Sequence, residues 1–102
     1  MRIPLDVFEV IQNYFYSINN KDLQKLQATT AQNVYESRVE YINSVRYKKM
    51  YIDEMAFQSE YTYQSHKKTT ETMIVRVKYQ EYDHNFALQN TNNAGWKIVD
   101  ID

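Results

Sequence analysis

At Tyr51 the apolar residues of this chain change their period. Upstream they recur every three or four positions, as on one face of a helix; downstream they alternate, as on one face of a strand. Helical patterning followed by strand patterning leaves few ways to build one core. The helices must lay their apolar stripes on one face of an antiparallel sheet, an α+β arrangement. With 102 residues and no internal repeat, linker or low-complexity tract, residues 1–102 read as a single domain.

The strongest stripe comes first. Val7, Phe8, Ile11, Tyr14, Phe15 and Ile18 share a helix face. Pro4 suits a first helical position, and Asp6 and Glu9 sit near the positive end of the helix dipole. Asn19-Asn20-Lys21-Asp22 interrupts the pattern, with Asn20 as a cap for a short second helix carrying Leu23 and Leu26. Thr30 can cap a third helix over Ala31 to about Arg46, where Val34 or Tyr35, Arg38 or Val39, Ile42 and Val45 keep helical spacing. The competing reading for that segment is a strand at Val34–Tyr41, since Val and Tyr favour sheet.

Beyond Tyr51, Met55, Phe57, Ser59, Tyr61 and Tyr63 share one parity, against polar Glu54, Gln58, Glu60 and Thr62. Gln64–Lys68 reads as a turn without the glycine of a tight hairpin. Thr70–Tyr82 follows, with Met73, Val75, Val77 and Tyr79 inward and Arg76, Lys78 and Gln80 outward. Asp83-His84-Asn85 is expected to turn the chain into a strand at Phe86–Gln89, and Asn90–Gly95 is the clearest turn. Trp96–Ile101 closes the sheet, with Trp96 and Ile98 on one face and Val99 and Ile101 on the other.

Composition narrows the function classes. Hydrophobic residues make up 43% and charged residues 25%, as in soluble globular domains, which argues against disorder. The net charge of −1 gives no global field for nucleic acid or an anionic membrane. The absence of cysteine removes disulfide scaffolds and thiolate metal sites, and His66 and His84 lack ligand spacing, so neither a metal nor a cofactor is expected. A single glycine argues against phosphate-cradling loops. No apolar run reaches membrane-span length and no secretory signal precedes the first helix; the compartment stays open between cytoplasm and a trimmed extracytoplasmic domain.

Two ends of the chain carry a resemblance. Val10-Ile11-Gln12-Asn13-Tyr14-Phe15 followed by Ile18-Asn19-Asn20-Lys21-Asp22-Leu23 resembles the opening of the NTF2-like superfamily. Gly95-Trp96-Lys97-Ile98-Val99-Asp100 resembles its last strand. The resemblance implies N-terminal helices packed on a curved antiparallel sheet of about four strands, a cone around a pocket closed by the long helix. Longer members of the superfamily have more strands. Its functions range from isomerases and dehydratases to secretion-channel components, so function rests on the residues themselves.

In the ketosteroid isomerase branch, a tyrosine at the position matching Tyr14 donates to an enolate oxygen, alongside a carboxylate base and a second donor. Here Asn33-Val34-Tyr35-Glu36-Ser37-Arg38 lacks that branch's Asp-Pro turn, Glu36 falls on a polar helix side, and Arg38 suits proton abstraction poorly. Asp83-His84 is the only adjacent acid–imidazole pair, and no nucleophile is spaced to use it. Arg46, Lys48 and Lys49 beside Tyr47 and Tyr51 have the chemistry to meet phosphates, yet 13 acidic residues offset 12 basic ones, and no nucleic-acid partner is expected.

Ten tyrosines remain. Tyr63, Tyr79 and Tyr82, amid Thr and Gln, are candidates for an outward-facing partner surface, although alternation alone puts Tyr79 inward. Tyr14, Phe15, Phe57 and Trp96 are the candidates for lining a pocket. The sequence thus reads as a non-catalytic binding or assembly module with a protein partner. A bacterial envelope or conjugation-type machine is the expected setting, and a homodimer through the sheet the expected pairing. The alternative is a small isomerase- or dehydratase-like enzyme or a small-ligand carrier.

Overall fold

The aromatic stripe of the first helix finds the sheet that the alternating half was expected to supply. The computed structural model describes residues 2–102. It contains α1 (Leu5–Asn20), α2 (Leu23–Thr29) and α3 (Gln32–Ile42), then β1 (Ile52–Ser65), β2 (Lys68–Tyr79), β3 (Tyr82–Thr91) and β4 (Trp96–Ile101). The four strands form one antiparallel sheet in the order β1-β2-β3-β4. This is the α+β arrangement read from the change of period.

Val7, Ile11, Tyr14, Phe15 and Ile18 of α1 are buried, but Phe8 is exposed at the edge of the stripe. Against them lie Met73, Val75, Val77 and Tyr79 of β2, Phe86 and Leu88 of β3, and Ile98 of β4. Rings mesh edge to face at the centre: Tyr14 with Phe15 at 5.2 Å, Tyr14 with Phe86 at 5.6 Å, and Phe15 with Tyr79 at 5.1 Å. Such geometry sets the positive ring edge on the negative face.

Several boundaries differ from the sequence reading, each for a local reason. Pro4 is the N-cap of α1 rather than its first helical residue. Asp22, not Asn20, caps α2: its carboxylate accepts from the Lys25 backbone N–H at 3.1 Å. Asn20 instead ends α1 and donates back to the Tyr16 carbonyl at 2.9 Å. Lys21 takes the left-handed conformation between the two helices, with φ 53°. Thr30 turns its hydroxyl back to the Leu26 carbonyl and leaves the N-cap of α3 to Ala31. The third segment is a helix, so the strand alternative at Val34–Tyr41 is overturned, and it ends at Ile42 rather than near Arg46.

Asn19 explains how the short middle of the chain is held. Its amide donates to the Met50 carbonyl and accepts from the Met50 N–H, both at 2.7 Å. Tyr47 adds a hydroxyl bond to the Ile18 carbonyl at 2.8 Å. The segment leading into β1 is thereby fastened to the end of α1.

The sheet corrects three strand expectations. The β2–β3 turn is Gln80-Glu81, both at positive φ (53° and 72°), so Asp83, His84 and Asn85 lie within β3 rather than forming the turn. A bulge between Phe57 and Ser59 swaps the faces of β1: Glu60 pairs with Met73 on the helix-facing side, and Tyr61 and Tyr63 pass to the opposite side. A second irregularity opposite Ala87 and Leu88 puts Ile101 across from Phe86, on the same face as Ile98. Each bulge adds one unpaired residue, and one residue inverts every side chain that follows.

Candidate functional site

The four predicted pocket residues do not meet in an open cavity. Tyr14 and Phe15 are core residues at 0% and 4% exposure, and their rings take part in the packing that fills the interior. Phe57 is partly buried against the same core. Trp96 is half-buried and lines a surface groove of about 380 Å³ with Asp6, Glu9, Asn13 and Asn90, its indole N–H donating to Asp6 Oδ2 at 3.1 Å. Trp96 packs against the rim of the core from this groove, whereas Tyr14 is fully buried and does not line it.

The environment of Tyr14 is apolar and aromatic. Burial pushes its hydroxyl well above the usual phenol range, only partly offset by the positive charge of Arg38. Among the described residues, the buried polar ones are Ser17, Thr29, Thr30, Thr72 and Asn90, none of them a carboxylate. Among these residues Tyr14 thus has no acid beside it in the core to act as a proton-abstracting base, and its hydroxyl makes no hydrogen bond to any of them.

His84 also entered the structure differently from the sequence reading. Instead of sitting in a turn, it stacks on Tyr79, and its Nε2 is buried without a partner among the described residues. Burial and the nearby Arg38 charge lower its pKa, with Asp83 pulling the other way. The imidazole is neutral at pH 7 as a result.

Of the three tyrosines proposed for the surface, Tyr79 is corrected: it is 3% exposed and part of the core. Tyr82 is exposed at the β2–β3 hairpin end, and Tyr63 lies exposed on the sheet face away from the helices. Sequence reasoning missed Tyr61, which alternation assigned inward and which the bulge turns outward to 58% exposure.

Tyr61 and Tyr63 belong to an uncharged block. Cross-strand pairing aligns three rows on the outer face: Ser59–Ile74–Ala87, Tyr61–Thr72–Gln89 and Tyr63–Thr70–Thr91. Thr72 is buried in the middle, flanked by Tyr61 and by Gln89, whose amide donates to its hydroxyl at 3.3 Å. Towards the other end of the strands the face becomes charged, with Glu54–Lys78–Asp83 forming an acid–base–acid row. The uncharged block lies where β1 is exposed on both faces: residues 58–64 are all solvent-exposed.

The two sheet edges are treated unequally. The β4 edge is covered, because Thr30 bridges to Ile98 and the Ala31 N–H donates to the Ile98 carbonyl at 2.8 Å. The β1 edge carries no further strand among the described residues. Its bulge and the charge of Glu60 on the helix-facing side are devices that discourage strand-to-strand addition. The exposed uncharged surface is therefore on the outer face, not at the edge.

A scan against models of known protein families, a search of curated proteins and a search of solved structures each return no significant match to this chain.

Proposed function

We propose that this domain is a non-catalytic binding or assembly module that pairs with a second copy of itself through the outer face of its sheet. The observation that carries the reading is the uncharged three-by-three block centred on Thr72, with Tyr61 and Tyr63 exposed at 58% and 63% along one side. Tyrosine contributes large, stiff contact area with a polar tip, which suits a surface that is wet when unpaired and dry when paired.

A second copy is the occupant that charge favours. A twofold contact sets a patch against itself, so a charged patch would meet its own sign, whereas a Tyr/Thr/Gln block meets neutral groups able to donate and accept. The Glu54–Lys78–Asp83 row at the far end then borders the contact rather than lying within it.

We further infer membership of the NTF2-like superfamily from the order of elements and the residues at the two chain ends, and a place in a bacterial cell-envelope or conjugation-type machine as the setting. The enzyme alternative loses support because no carboxylate is buried beside Tyr14 among the described residues. Sedimentation equilibrium of the purified chain tests the pairing: the proposal expects a monomer–dimer equilibrium that Tyr61→Ser with Tyr63→Ser shifts to monomer. A dimer unaffected by both substitutions would place the contact elsewhere.

A further inference from the structure

Arg38 is a cation to which the interior, among the described residues, offers no buried counter-charge. It projects from α3, and its charge is felt by Tyr14 on α1, Tyr79 on β2 and His84 on β3, all neutral at pH 7. Its Nε is buried and makes no hydrogen bond among the described residues. Buried charged donors are almost always paired, because an unpaired one forfeits its hydration without compensation. The missing partner should therefore be sought where the guanidinium reaches the surface.

It reaches the surface at a groove of about 370 Å³ lined by Ser37, Arg38, Glu40, Tyr41, Ser44 and Arg46. Two arginines, two serine hydroxyls and a phenol converge there, against one carboxylate. The groove continues past Tyr41 and Arg46 into a second hollow that adds Lys48. A smaller hollow on the other side of Arg38 includes Asp100, but neither Asp100 nor Glu40 accepts from Nε.

The wall opposite α3 is held in place rather than floppy. The Tyr41 hydroxyl donates to the Lys48 carbonyl at 3.0 Å and accepts from the Lys48 N–H at 2.9 Å. Ser44 Oγ donates to the Tyr41 carbonyl and accepts from the Arg46 N–H. Arg46 is thus presented by a segment whose backbone is tied to α3 at both ends, which lowers the ordering cost of binding.

We propose that this groove binds the oxyanion of a small molecule, a carboxylate or a phosphate group, held between Arg38 and Arg46. Planar guanidinium groups suit such anions because two N–H bonds can be made to two oxygens at once. Glu40 on the rim is the groove's internal competitor and sets an upper limit on affinity. The site is separate from the outer sheet face, so it can be occupied whether or not the chain pairs.

The test is a nitrogen-15 NMR titration of the full chain with sodium phosphate and, separately, sodium acetate, with sodium chloride at equal ionic strength as the reference. Saturable shifts at Arg38 Nε–H and at the backbone amides of Ser37 and Arg46 are expected with at least one oxyanion, and the salt that saturates identifies carboxylate or phosphate as the ligand group. Arg38→Gln should weaken binding about tenfold, the loss of a charge-assisted pair. Arg46→Gln should also weaken it, and Glu40→Gln should tighten it. These two alter the rim rather than the core, and their opposite directions decide the matter should Arg38→Gln fail to fold. Shifts that chloride reproduces, that never saturate, or that respond equally to Glu40→Gln and Arg46→Gln would overturn the proposal.

Discussion

The ring of Tyr79 lies over the imidazole of His84, with centroids 4.0 Å apart and planes 19° from parallel. The two residues sit diagonally across the β2–β3 hairpin, whose pairs are Tyr79–Tyr82 and Val77–His84. Arg38 faces the imidazole from α3, Tyr79 covers it from β2, and Asp83 is its acidic neighbour in β3. Burial comes first among the causes that lower the His84 pKa, then Arg38. The folded pKa thus lies below the unfolded value of about 6.5, so the unfolded chain takes up the proton first as pH falls. Thermal stability should decline as pH drops below about 6.5 through the folded pKa, and His84→Phe should flatten that part of the profile. A pH-independent melting temperature between pH 7.5 and 5 in the parent chain would contradict the burial of a neutral imidazole.

Tyr14 carries a hydroxyl that the core does not use. A buried polar group without a partner costs about 1–3 kcal/mol, so Tyr14→Phe should stabilise the chain by about 1 kcal/mol in urea unfolding. Tyr14→Ala removes the ring from the Phe15–Phe86 contacts and should cost about 3–5 kcal/mol. Destabilisation by Tyr14→Phe would mean that the hydroxyl has a structural or ligand role.

Asn19 joins α1 to the segment before β1 through both atoms of its amide. Asn19→Ala loses both bonds to Met50 and should cost about 2 kcal/mol, counting about 1 kcal/mol for each. Asn19→Asp keeps the acceptor but not the donor, and should fall between. Equal stability of all three chains would show that the clamp adds nothing.

Gln80 and Glu81 form a two-residue hairpin turn in which both residues have positive φ. This conformation matches the twist of the flanking strands but costs a side-chain-bearing residue about 1–2 kcal/mol. Glycine avoids that cost and gives part of it back as unfolded-state entropy, so Glu81→Gly should stabilise by about 0.5–1 kcal/mol. For a chain of this size that is a rise of about 3–6 °C in melting temperature. A lower melting temperature would mean that the Glu81 side chain contributes more than its backbone strain removes.

The parts of this fold that were legible in the sequence are those governed by period. Val7, Ile11, Tyr14, Phe15 and Ile18 named the buried face of α1, and Met73, Val75 and Val77 named that of β2. What was not legible depends on single residues without a distinctive signature. The bulge between Phe57 and Ser59 moves Tyr61 and Tyr63 to the outer face, and nothing in the composition of β1 marks the extra residue. The Gln80-Glu81 turn contains no Gly, Asn or Asp, so the polar Asp83-His84-Asn85 drew the turn to the wrong place. Asn20 and Thr30 are sound caps by type, but Asp22 and Ala31 occupy the cap positions because the helices begin slightly later. Helical spacing left Arg38 and Val39 as alternatives on the stripe of α3, and only the burial of Val34 and Ile42, four residues to either side of Arg38, decides that its stem runs inward.

Pairing through the outer sheet face is the proposal most open to direct measurement. The most direct measurement is the mass of the chain by light scattering across micromolar to sub-millimolar concentration, run beside the Tyr61→Ser, Tyr63→Ser double variant. The account predicts a mass rising towards twice the 12.3 kDa of one chain for the parent, and 12.3 kDa throughout for the variant. A parent chain that stays at 12.3 kDa over the whole range would contradict it.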